Sequence, residues 1–165
     1  MRGRPLPNRS IFIRPNGGCF KIGLSALKTM LCFVQDESHK PEAGGVLLGR
    51  HIIDTNDIVV DWVTTPLPGD RQSRFRFFRT RRRHQELIDQ AWRESSRTCT
   101  YLGEWHTHPE AAPAPSIVDQ FNWRRKLMVD QFSDCLFFII VGADEMRVWE
   151  GRYRRINLYQ LKLID

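Results

Sequence analysis

The chain has 165 residues, 41% of them hydrophobic, which is enough to close one sizeable core but short for two, so residues 1–165 are read as a single domain. The longest apolar run, residues 135–141, is far below the roughly 20 residues of a bilayer crossing, and the amino terminus has no apolar stretch of the signal-peptide kind; the expectation is a soluble, cytoplasmic protein without membrane contact. The net charge of +6 is local, because seven arginines fall within residues 71–83, which hold no acid, and removing them leaves −1 for the rest, so nucleic acid is not an expected partner.

In chain order, residues 10–14 and 19–22 alternate apolar and polar around Pro15-Asn16-Gly17-Gly18, the pattern of a hairpin. Ser25 is placed to cap a helix whose apolar positions Leu27, Met30, Leu31 and Val34 recur every three to four residues and which ends near Gln35. After a polar loop, residues 45–53 and 58–64 are rich in Val and Ile and are separated by Asp54-Thr55-Asn56-Asp57, which predicts two adjacent antiparallel strands.

Residues 66–70 read as a loop and the arginine segment follows. Leu87, Ile88, Ala91 and Trp92 predict an amphipathic helix over residues 80–95. Residues 99–108 read as a strand, and three prolines within residues 109–115 exclude regular structure there. Helical spacing returns over residues 116–129 through Val118, Phe121, Trp123 and Leu127, and strands are expected at 135–142, 146–149 and 153–161. The mixture, without a strict βαβ rhythm, predicts an α+β fold with helices against a largely antiparallel sheet. Cys19, Cys32, Cys99 and Cys135 are scattered, with no C-x-x-C pair, and read as buried free thiols.

Within Leu102-Gly103-Glu104-Trp105-His106-Thr107-His108-Pro109 the two histidines are two apart, so on a strand both imidazoles share one face. Asp119, eleven residues on, can add an oxygen ligand from the first turn of the following helix, giving three ligands and an open fourth position. Alone, an H-x-H pair is as well read as two polar residues on an exposed strand. Ser116-Ile117-Val118-Asp119 has the S-x-x-D form of a capping box, a role that can coexist with ligation. Glu104 shares the histidines' face and can serve as a partner to a ligand imidazole, whereas Trp105 points to the opposite side, into the core or a groove.

His106-Thr107-His108, seven residues, then Ser116-x-x-Asp119 resembles the signature H-[ST]-H-x7-S-x-x-D of the JAMM (MPN+/JAB) zinc metallopeptidases. Pro41-Glu42-Ala43-Gly44-Gly45-Val46 is similar to that family's glutamate before a glycine-containing strand. The resemblance runs from about Ile11 to Val141 and implies the JAB/MPN-like fold, which is cytidine-deaminase-like. It also implies Zn2+ on His106, His108 and Asp119, Glu42 as general base, and Ser116 as hydrogen-bond donor to a tetrahedral oxyanion.

Residues 101–110, together with Phe75-x-Phe77-x-Arg79 and His84-Gln85, resemble the deconjugating isopeptidases of bacterial CBASS antiphage operons. That resemblance implies removal of a cGAS-like nucleotidyltransferase from proteins joined to its carboxy terminus, alongside a ubiquitin-activating and conjugating fusion enzyme. A JAMM peptidase acting on another ubiquitin-like or sulfur-carrier protein, and a DNA-repair-associated JAB protein, are the alternatives. The arginine segment falls where JAMM enzymes place an insertion flanking the substrate groove, and reads either as an acidic-face contact or as a solvated charged face; the interleaved Phe75, Phe77 and Phe78 would also suit stacking on single-stranded nucleic acid, the weaker candidate.

Overall fold

The computed structural model describes residues 10–129 and 133–165. Strands β1 (Ile11–Ile13) and β2 (Cys19–Ile22) pair antiparallel as expected, and α1 (Leu24–Leu31) follows. Its N-cap is Gly23 with no side-chain cap, so Ser25 lies inside the first turn and does not cap; the helix also stops at Leu31, four residues before Gln35. Strands β3 (Gly44–His51) and β4 (Ile58–Val63) are antiparallel neighbours. The arginine segment opens with a small separate hairpin, β5 (Arg71–Ser73) and β6 (Arg76–Phe78), and leads into α2 (Arg81–Glu94). Then come β7 (Thr100–Thr107), α3 (Ile117–Val129), β8 (Cys135–Val141), β9 (Met146–Arg152), β10 (Leu158–Gln160) and β11 (Lys162–Leu163).

The main sheet has the order β10-β9-β8-β7-β3-β4-β2-β1-β11, with β2/β4 and β7/β8 parallel and the other neighbours antiparallel. The single strand expected over residues 153–161 is instead split: β10 extends one edge and β11, two residues later, extends the other. Buried Leu161 lies between them and donates its N–H to the Val148 carbonyl, so the chain itself draws the two edges of a curled sheet together. No helix among the described residues is long and apolar enough to cross a membrane.

Strand β8 explains why helices cover both faces. All seven of its residues are buried, and alternate ones enter different cores: Phe137, Ile139 and Val141 meet α1 residues Ala26, Leu27 and Met30, while Leu136, Phe138 and Ile140 meet Ala91 of α2 and Trp123 and Leu127 of α3. Val118 and Phe121 are 55% and 67% exposed, so α3 buries a narrower stripe than its sequence predicts. Cys32 is exposed and Cys19 half-buried, which corrects the reading of four buried thiols; Cys99 and Cys135 are buried.

A bulge in the β3/β7 pairing sets the phase of the strand that carries the histidines. Leu47 lies opposite Gly103 and Leu48 opposite Tyr101. Leu102 and Trp105, three residues apart, both enter the α1-side core, which strict alternation forbids, and the bulge takes up the odd residue. Gly103 sits at φ +145°, and a Cβ there would collide with the Phe137 carbonyl, so only glycine fits.

A buried ion pair ties the sheet together. Arg14 donates from Nε and Nη2 to the two Glu150 oxygens at 3.0 Å each, also donates to the Asn56 carbonyl, and lies 5.2 Å from the Phe137 ring centroid. Both side chains are almost fully buried, so removing one charge strands the other. Glu150→Gln is therefore expected to lower unfolding free energy by about 3–5 kcal/mol, read from chemical denaturation curves; a change under about 1 kcal/mol would show that the pair contributes little.

Candidate metal centre and active site

Three elements meet at one end of β7. His106 lies in the strand and His108 just beyond it, Glu42 immediately precedes β3, and Ser116 and Asp119 start α3. The meeting is fixed by hydrogen bonds rather than by shape alone. Thr107, between the histidines, donates its N–H to the Ala43 carbonyl at 2.8 Å, and its Oγ1 accepts the Ala43 N–H at 2.9 Å, which brings Glu42 beside both imidazoles. His108 N–H donates to the Val141 carbonyl at 3.0 Å, continuing the β7/β8 ladder past the strand end.

Ser116 and Asp119 form the expected reciprocal capping box. Asp119 N–H donates to Ser116 Oγ at 3.0 Å and Ser116 N–H to Asp119 Oδ2 at 2.7 Å. Capping fixes the Asp119 carboxylate against the histidines: Oδ1 lies 3.3 Å from His106 Nε2, Oδ2 lies 3.3 Å from His108 Nε2, and the two Nε2 atoms are 3.0 Å apart. Ligands at 2.0–2.1 Å from a tetrahedral ion stand about 3.3–3.4 Å from one another; the two Nε2 atoms are slightly closer than that, and the Asp119 carboxylate spans them with one oxygen facing each. Glu42, His106 and His108 are buried, and their ligand-type atoms all lie within 4.8 Å of one another.

The electrostatics point the same way. Burial raises the Glu42 carboxyl above its ordinary value, and the neighbouring Asp119 and Glu110 add to this, against the opposing pull of His106 and His108. Burial would also raise Asp119, but hydrogen bonds from both histidines overcome it and hold the carboxyl well below the usual range. Burial pulls the His108 imidazole down, yet Asp119, Glu42 and Glu110 together leave it raised. His108 Nδ1 is within ion-pair distance of Glu110 Oε2 at 3.0 Å but outside hydrogen-bonding geometry, so it has no hydrogen-bond partner among the described residues. Carboxylates gathered on two imidazoles whose nitrogens face each other make a donor set that suits a divalent cation.

The site opens into a groove of about 930 Å³ lined by the hairpin, α2, α3 and β7, with Phe77, Trp92 and Val129 among its walls. Glu104 lies on its floor. The carboxylate is not a partner to an imidazole, as the sequence allowed; it accepts hydrogen bonds from Arg79 and, at 2.9 Å, from Lys126 Nζ, joining the hairpin side of the groove to α3. Burial would raise Glu104, but the two cations leave it lowered and ionised. Trp105 faces the α1-side core, 1% exposed, and donates its indole N–H to the Thr64 carbonyl. Trp123 from α3 instead packs beside His106, the two ring centroids 6.2 Å apart.

The arginine segment divides between its two readings. Arg79 is largely buried on Glu104, Arg74 donates to the Glu37 carbonyl at 2.6 Å, and Arg71, Arg76 and Arg81 to Arg83 are exposed. Sequence reasoning missed the hairpin's grip on Glu42: Glu42 N–H donates to the Ser73 carbonyl at 2.7 Å, and Gln72 Nε2 donates to the Glu42 carbonyl at 3.1 Å. Phe77 packs over Gly44, where a Cβ would lie 2.5 Å from the Trp105 carbonyl oxygen and 2.6 Å from the Phe77 ring, which accounts for the glycine. The absence of acids and the resemblance carried by Phe75-x-Phe77-x-Arg79 marked the segment as specialised, but neither placed its backbone against Glu42.

Comparison with known proteins gives a family match over residues 30–152, described as prokaryotic homologs of the JAB domain. A Vibrio cholerae protein named CD-NTase/cGAS isopeptidase is 31% identical, over 94% of this chain and 96% of its own length. A protein of the same name from Pseudomonas aeruginosa is 37% identical, over 75% of this chain and 77% of its own length. The solution structure of a Desulfitobacterium hafniense protein superposes with a TM-score of 0.59 at 22% identity, over 86% of this chain and 88% of that one, which supports the fold.

Proposed function

Because this chain belongs to the prokaryotic JAB-domain family, a family of JAMM-type metallopeptidases, we propose that it is a zinc-dependent isopeptidase that frees a cGAS-like nucleotidyltransferase from proteins joined to its carboxy terminus. The observation that carries the reading is the convergence of His106, His108 and Asp119 at 3.0–3.3 Å beside the buried Glu42. The family implies a metal; the donor set of two imidazoles and one carboxylate favours zinc and leaves a fourth position open.

His106, His108 and Asp119 would hold the ion. When bound, zinc supplies Lewis acidity toward a carbonyl and lowers the pKa of water from about 15.7 toward 7. Glu42 accepts the proton of the attacking water, and burial, which raises its carboxyl above the ordinary value, makes it a stronger base for that task than an exposed carboxylate. As the C–N bond breaks, Glu42 returns the proton to the departing amine, leaving a carboxylic acid and a free amino group. Ser116, fixed by the capping box at the amino end of α3, donates a hydrogen bond to the carbonyl oxygen as it becomes anionic. The groove receives the extended tail that leads to the scissile carbonyl.

The substrate reading is supported by the names of the Vibrio and Pseudomonas relatives; the pairing with a ubiquitin-activating and conjugating fusion enzyme in a bacterial defence system is what the motif resemblance adds to the proposal. Mass spectrometry tests it with two substrates, a nucleotidyltransferase of that class and a sulfur-carrier protein, each joined through its carboxy terminus to a reporter. Cleavage at the nucleotidyltransferase junction with kcat/KM at least about tenfold above the other is expected. Equal or inverted preference would move the assignment to a sulfur-carrier substrate, and salt-dependent DNA binding without cleavage would move it to the DNA-repair alternative.

A further inference from the structure

Gln35 lies after α1, outside every element and outside the site, yet it is 2% exposed, and its side chain makes three hydrogen bonds, using both amide N–H groups and the oxygen. Its Oε1 accepts the Thr107 hydroxyl at 3.0 Å. Its Nε2 donates to the Arg74 carbonyl, at the hairpin turn, at 2.9 Å and to the Lys40 carbonyl at 3.2 Å. A primary amide has two N–H donors, and both are used; a carboxylate or an apolar side chain of the same size could not supply them.

The bond to Thr107 matters through its direction. Because Thr107 gives its only hydroxyl proton to Gln35, its oxygen lone pairs are left to accept the Ala43 N–H, and Ala43 is the residue after Glu42. The same amide reaches the hairpin one residue from Ser73, whose carbonyl receives the Glu42 N–H. The Glu42–Ala43 backbone is thus held from both sides by groups next to Gln35: the Thr107 hydroxyl on Ala43 N–H, and Ser73, beside the Arg74 carbonyl that Gln35 binds, on Glu42 N–H.

We propose that Gln35 is a positioning residue for the reaction, fixing the Glu42 loop against the histidine strand and the β5–β6 hairpin without touching substrate or metal. This rests on Glu42 acting as the general base, but its structural half is testable without any substrate. Misplacing a proton-transfer group lowers the rate of the chemical step more than it weakens ligand binding.

The test compares zinc-loaded wild type with Gln35→Met and Thr107→Val, which remove the bond from either end, and with the double variant. Amide hydrogen exchange is expected to quicken at least about tenfold over residues 36–43 and 71–78 in Gln35→Met, with β8 and β9 unchanged. With a cleavable conjugate, kcat should fall about tenfold in Gln35→Met while KM and zinc affinity stay within about twofold, and the double variant should lose less than the product of the two single losses, since the Gln35–Thr107 bond is common to both. Unchanged exchange in both loops would overturn the proposal, as would faster exchange spread equally through β8 and β9, which marks general destabilisation. If wild type cleaves nothing, the functional reading fails, and the exchange result still decides whether Gln35 holds the loop.

Discussion

Replacing Glu42 by glutamine is expected to slow turnover by about 10² to 10⁴ while zinc content and thermal stability stay at wild-type levels. Glutamine preserves the size of a side chain that is 6% exposed, and it leaves untouched the backbone bonds of Glu42 and Ala43 to Ser73, Gln72 and Thr107. What it removes is the capacity to take a proton. Since proton transfer is used in the transition state and not in binding, kcat and kcat/KM should fall together with KM unchanged. Glu42 also stands close enough to both histidines to be a ligand itself, and zinc content separates the two roles. Loss of zinc together with turnover would make Glu42 a ligand, and undiminished turnover would end its assignment as base.

His106→Ala should remove metal and activity together. His106 supplies one of three converging atoms, and Asp119 Oδ1 at 3.3 Å would then face a gap. Changing groups that merely orient a ligand costs about 10 to 100-fold in metal affinity, so deleting a ligand should cost at least about 10²-fold, read by competition with a zinc indicator. Chelator treatment of wild type should reproduce the loss, and zinc should restore wild type but not His106→Ala at the same free metal concentration. Retained zinc in His106→Ala would mean that the ion sits elsewhere.

The site was more legible than its surroundings, for a physical reason. His106, His108, Ser116 and Asp119 lie within fourteen residues, and local rules carried most of their geometry: strand alternation pairs the imidazoles, and a capping box fixes the aspartate. Glu42, more than sixty residues away, was identified through its resemblance to a known element, because no periodicity says which loop carboxylate will be buried. The elements themselves were found nearly in place, since β3, β4, β7 and β8 are long Val- and Ile-rich or alternating segments with clear punctuation.

Misreadings arose where tertiary contacts overrode local pattern. Ser25 can cap a helix, but Gly23 N–H is held by the Val60 carbonyl and the helix starts two residues early. Val118 and Phe121 fit helical spacing, but α3 turns only Trp123 and Leu127 inward. The tail read as one strand, and only the curl of the sheet decides that Leu161 should lie between two edges. Glu104 was placed on the correct face, but its partners Arg79 and Lys126 come from elements whose approach no local signal encodes.

Anomalous diffraction from crystals of the zinc-loaded protein, collected on both sides of the zinc absorption edge, tests the central claim most directly. One peak is expected about 2.0–2.1 Å from His106 Nε2 and His108 Nε2 and about 2.0–2.2 Å from a carboxylate oxygen of Asp119, with Glu42 beside it but not bound. A peak on any other residues, or none in protein that still hydrolyses the conjugate, would contradict the account.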